Sequence, residues 1–255
     1  MMKNKKVYAT AIWISILALV TLSFIGFRFT NNIVHARHLE DKGNQEASLS
    51  LYEHILSSEA KTLNDSVALI SQSTLLGAQY RSRWANRFDN DMYQLSANST
   101  IDTNTLSRAS SLMQFLIDYD SKMGKMDDEA VVSEHRKRID ALCERYIAYT
   151  DELLSQGLQP QSVMAAVRIY KNKVLQYNPY QIEALARLYF LTDLSGQSEK
   201  QEEYFLKIKD FFAKTFQDNP ENGRLFLENL LSLQSVNFDY TVLVNRLAQD
   251  LNIYL

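Results

Sequence analysis

Glycine and proline are scarce in this chain: seven Gly and three Pro in 255 residues, about 4% together against a typical ~12%. Sandwiches and barrels place a tight turn about every 8–12 residues and draw on these two residues to make it. The shortage therefore points to long helices joined by few loops, an all-α fold. There is a single cysteine, Cys143, so no intramolecular disulfide can form and cysteine usage does not report the compartment. Also missing are a nucleophile elbow, a Gly-rich phosphate loop, His-Glu-x-x-His and Cys-x-x-Cys, the short motifs that would announce common catalytic machinery. No enzyme class is indicated; no catalytic residue, cofactor or metal is expected.

Charge of either sign is absent from Val7 to Phe27. As a helix these residues span ~32 Å, against ~30 Å of hydrocarbon. Trp13, Ile14, Leu17 and Leu19 form its middle, and Tyr8, Phe27 and Phe29 fall near its two ends, where aromatic rings favour the interface. A cleaved signal peptide would have a shorter apolar stretch followed by a small-x-small site. This run instead ends Ser23-Phe24-Ile25-Gly26-Phe27-Arg28-Phe29. The reading is an uncleaved transmembrane anchor over residues 7–27, with the lipid bilayer as its partner. Lys3, Lys5 and Lys6 precede it, and the positive-inside bias then puts residues 1–6 in the cytoplasm and the rest outside. The expected location is a bacterial inner membrane, crossed once, with a periplasmic C-terminal domain.

Hydrophobic residues make up 46% of the chain and charged residues 22%, and the net charge is −3. That balance suits a folded chain. Without the three lysines before the anchor, 24 basic residues face 30 acidic ones. Nucleic acid demands concentrated positive charge, so it is not an expected partner.

Beyond the anchor the apolar spacing is helical. Helices are expected over residues 29–41, 45–57, from an N-cap cluster at Asn64-Asp65-Ser66 through Leu95, and from Leu106 to near Gly124. The polar stretch Ser96–Thr105 is the best candidate for a boundary. It separates a first helical segment, residues 28–97, from a loop at 98–105 and a second domain at 106–255. Val132, His135, Ile139, Leu142, Tyr146, Tyr149 and Leu153 alternate steps of three and four, the seam of a coiled coil or packed helix pair. Self-association through Val132, Ile139, Leu142, Tyr146 and Leu153 is one consequence, and Cys143 sits beside the seam. Pro160, Pro179 and Pro220 fall where helical patterns start or stop. Further helices are expected at 162–177, 181–194, 199–216, 224–235 and 240–255.

Gly43-Asn44 is followed by Ser48, Tyr52 and Ile55, with Ala36 in the segment before. Ala166, Tyr170 and Asn178-Pro179 repeat the theme, and Asp218-Asn219-Pro220 closes a third helix pair. This pattern resembles tetratricopeptide repeats, helix pairs of about 34 residues, over roughly half the chain. The sequence departs from it at Lys173 and Tyr189, where a small residue is usual, and across residues 64–130. The resemblance implies a solenoid-like bundle whose surface binds protein segments. On it, Tyr52, Trp84, Tyr170 and Tyr189 are the candidate protein-binding residues.

Other clusters have plain readings. His35 and His38, beside Glu40 and Asp41, read as a polar face near the membrane, because no further His or Cys completes a metal site. His135 reads as a seam histidine. Arg81-x-Arg83-Trp84 with Arg87, and His135-Arg136-Lys137-Arg138, read as solvated helix faces. Asp127-Asp128-Glu129 suits a helix first turn. The expected role is a scaffold that binds other membrane or periplasmic proteins and helps to assemble or organise a cell-envelope complex. An accessory subunit acting through its anchor, or an enzyme with an unrecognised site, are the alternatives.

Overall fold

A computed structural model describes residues 32–58, 70–71, 73–155, 157–216, 219–232 and 238–253. The anchor at 7–27, with Trp13, Ile14, Leu17 and Leu19, lies outside the described residues, as does the expected cap at Asn64–Ser66. The fold is all-helical, with no strand among the described residues. Among them, no helix is long and apolar enough to cross a membrane.

The chain forms two compact units. One takes its described residues from the chain up to Asn86 and from Gln114–Asp127, the other from Arg87–Met113 and from Asp128 onward. Two of the divisions, after Asn86 and after Met113, fall inside helices; the third, after Asp127, falls just before a helix begins. Residues 98–102, within the loop expected at 98–105, form the turn between two helices.

In the first unit, α1 (residues 32–41) and α2 (Gln45–Ser58) form a hairpin. Gly43 turns the chain at φ +77°, a left-handed conformation that glycine adopts without a Cβ penalty. Ala36 and Ser48 are fully buried, and the Ser48 hydroxyl donates to the Ala36 carbonyl at 2.8 Å. Small side chains at that crossing let the two backbones approach. Ile33, Tyr52, Ile55, Ile70 and Tyr119 complete this core, with Trp84 packed at its edge.

Helices α3 (Thr74–Ala97) and α4 (Thr103–Lys122) each contribute to both units. Asp102 caps α4, accepting from the Thr105 amide at 3.1 Å and the Thr105 hydroxyl at 2.6 Å. In the first unit, Arg81 of α3 grips the buried Asp120 of α4 through Nε at 2.8 and 2.9 Å. In the second, Arg108 of α4 holds the buried Asp91 of α3 at 2.7 and 2.8 Å. A buried carboxylate without such a partner would be strongly destabilising.

A 3-10 turn at Lys125–Asp127 leads to α5 (Glu129–Leu154). Asp128 is its N-cap and accepts from the Ala130 amide at 2.9 Å. The buried face of α5 comprises His135, Leu142, Cys143, Tyr146, Ile147, Thr150 and Leu154. That corrects the seam drawn from the sequence. Leu142 and Tyr146 are indeed inside, but Val132, Ile139 and Leu153 are only half-buried. A straight helix drifts relative to a seven-residue repeat, so burial passes from Leu153 to its neighbour Leu154.

Helix α6 (Pro160–Ile169) runs into a π-turn at Tyr170–Val174 and ends in the short α7 (Leu175–Tyr177). The Cys143 thiol points at the Val174 carbonyl at 3.8 Å. Four more helices follow: α8 (Ile182–Leu194), α9 (Ser198–Phe216), α10 (Pro220–Ser232) and α11 (Thr241–Leu251). Asn252 ends α11 in the left-handed region at φ 53°.

A candidate binding cleft in the C-terminal unit

Helix α8 is buried almost all round: Ala184, Leu185, Ala186, Leu188 and Leu191 are at most 1% exposed. Such a helix sits inside its unit rather than on it. One of its buried residues is Arg187, and its partners come from several elements. Nη1 bonds Asp151 of α5 and donates to the Tyr170 hydroxyl at 3.1 Å. Nη2 reaches Asp151 at 3.2 Å and Glu183, one turn back on α8, at 2.5 Å. The guanidinium also lies 4.8 Å from the centre of the Phe238 ring.

The Tyr170 hydroxyl stands 2.5 Å from Thr150 Oγ1, so a polar knot ties α5, the π-turn and α8 together. Burial pushes the Tyr170 and Tyr240 hydroxyls upward in pKa, and the facing Arg187 charge offsets only part of this. For Arg187 burial disfavours the charge, but Tyr170, Asp151, Tyr240 and Glu183 outweigh it and raise the pKa. The group is a permanent cation.

The knot positions the start of α8, and there the surface opens. A cleft of about 350 Å³ lies between the α7–α8 turn, α8, α9 and α10. Its apolar floor includes Phe211 of α9 and Phe226 and Leu230 of α10. Tyr180, 46% exposed, stacks on Phe211 with ring centres 6.1 Å apart and planes 29° from parallel. Phe226 is braced edge-on by Phe212 at 5.0 Å. The rim carries Asn178, Gln181 and Asn229, and its carboxylate Glu183 is already paired with Arg187.

Two of the rim amides have a fixed orientation. Asn178 Oδ1 accepts from the Tyr180 amide at 3.2 Å, and Gln181 Oε1 caps α8 by accepting from the Ala184 amide at 3.3 Å. With its oxygen engaged in this way, a side-chain amide keeps its NH2 group as a pair of donors.

The candidates read from the sequence lie elsewhere. Tyr52 and Tyr170 are fully buried, and Tyr189 is 7% exposed, so a partner cannot touch the first two rings directly. Trp84 is half-buried, stacked on Phe115 at 5.2 Å and edge-on to Tyr119. His35 and His38 are exposed, and among the described residues no group of His, Cys, Asp or Glu is arranged to hold a metal ion. Of the cleft residues, Asn178 was legible, with Pro179, at a helix stop. That it lines one cleft with Phe211 and Asn229 was not legible, because these residues lie far apart in sequence. The chain matches no protein-family model, no curated protein and no solved structure.

Proposed function

We propose that this chain is a membrane-anchored extracytoplasmic scaffold whose helical domain binds other proteins and supports assembly or organisation of a cell-envelope complex. The observation that carries the reading is the open, aromatic-floored cleft at the start of α8, set on a rigid knot of buried ion pairs. Concave surfaces with a few convergent polar groups are where ligands bind, and peptide segments dock in apolar grooves. The tetratricopeptide-like hairpins, with small Ala36 against Ser48 and buried Tyr52, favour the same role. The charge-free run at 7–27 behind three lysines supplies the anchor and the inward N-terminus. The partners are other membrane or periplasmic proteins, and the location is a bacterial inner membrane.

A cross-linked pull-down of the full chain from its native membranes tests this. The scaffold reading expects a partner at near-stoichiometric yield, still captured when Val7–Phe27 is exchanged for an unrelated apolar helix. Loss of capture on that exchange would favour an accessory subunit acting through its anchor. Recovery of the chain alone would remove the docking role.

A further inference from the structure

We infer that the cleft at the start of α8 is a docking site for an extended, uncharged peptide segment that inserts one bulky apolar side chain. The inference rests on the protein-binding role proposed above and adds the place and the chemistry of the partner.

Charge sets the first constraint. Among the described residues, Glu183 is the one charged residue lining the cleft, and Arg187 already holds it at 2.5 Å. Beside the cleft, Lys214 is paired with Asp210 at 2.7 Å. Among the described lining residues an entering charged group finds no unpaired counter-charge, and setting it against Phe211 and Phe226 is unfavourable. A neutral segment meets no such penalty.

Hydrogen-bond polarity sets the second. The oxygens of Asn178 and Gln181 are held by backbone amides of the α7–α8 turn and of α8, which leaves their NH2 groups as the donors these lining residues can offer. Donors in a neutral rim complement the carbonyl oxygens of an extended backbone. The floor sets the third. Tyr180 and Phe226 flank Phe211 at ring-centre distances of 6.1 and 6.3 Å. A cleft of about 350 Å³ admits a large side chain together with a short length of backbone, and aromatic or aliphatic anchors are what such floors accept.

The test is to pan the full-length chain, in detergent, against a phage-displayed library of short random peptides. The enriched peptides are then measured as end-blocked synthetic versions by calorimetry. Enrichment of one aromatic or large aliphatic residue among uncharged neighbours is expected. Tyr180→Ala and Asn229→Ala should each weaken binding by about tenfold or more. Both residues are exposed, so unchanged thermal melting checks that the fold survives. Tyr93→Ala, which removes an exposed aromatic outside the cleft, should bind as the parent does.

Acidic or basic consensus peptides, equal binding by the variants, or no enrichment would each overturn the assignment. So would a self-association that Tyr180→Ala abolishes, which would give the cleft to a second copy. If both variants still capture the native partner, docking stands and the cleft is not its site. If the parent captures none, the scaffold role itself falls.

Discussion

The Tyr119 hydroxyl occupies the space in which any side chain at Gly77 would begin. Gly77 is helical and its position needs no unusual backbone, so a close approach of α3 and α4 explains the glycine. Gly77→Ala is therefore expected to destabilise the chain by about 1–3 kcal/mol, the usual range for overpacking. Pairing it with Tyr119→Phe should recover part of the loss. The recovery is partial because ring carbons of Tyr119 also come within 2.9 and 3.0 Å of that added methyl. A double-mutant cycle in urea measures the coupling.

Arg187 supports a second prediction. Arg187→Ala removes the cation shared by Asp151, Glu183 and Tyr170. Breaking a buried pair from one side is expected to cost about 3–5 kcal/mol. Because Asp151 is 47% exposed and can regain water, the loss should sit toward the lower end. Urea unfolding of the C-terminal unit's helices, followed by circular dichroism, gives the figure.

The thiol of Cys143 is fully buried, and burial pushes its pKa up to about 12. The nucleophile in disulfide exchange is the thiolate. A disulfide-exchange reagent is therefore expected to leave Cys143 untouched in the native protein and to modify it promptly in denaturant. Fast labelling without denaturant would show that α5 opens from the π-turn.

Asp102 makes a prediction about pH. The Thr105 hydroxyl and the Asn104 and Thr105 amides hold its carboxyl below the ordinary range. Its contribution is thus fully present above the unfolded value, near ~3.9. It is lost as pH falls through the lower folded value. Asp102→Asn keeps a capping oxygen and removes the charge. Its melting temperature should fall below the parent's at neutral pH, and the gap should close in acid.

Local signals in the sequence carried far. Pro160 and Pro220 open helices, Gly43 and Gly124 close them in the left-handed region, and Gln181 caps α8. These effects act within a few residues and so can be read along the chain. Burial on α5 was legible only to within one position, because a heptad template does not follow a straight helix. The π-turn at Tyr170–Val174 and the Arg187 knot were not legible. Asp151 and Arg187 stand 36 residues apart, and nothing in either neighbourhood announces the other. The cleft joins distant segments in the same way, and the burial of Tyr170 is not legible because repeat patterns do not distinguish packing aromatics from binding ones.

The interleaving of the two units bears on how the chain can be made. Arg81 must wait for Asp120, 39 residues later, and Tyr119 shares a buried core with Ile33, Tyr52, Ile55 and Ile70, all made well before it. A chain emerging N-terminus first therefore cannot finish its first unit until Arg87–Met113, which belongs to the second, has already been synthesised. Stalled or truncated products ending before α4 would carry an open apolar core, the kind of species that proteases and chaperones remove.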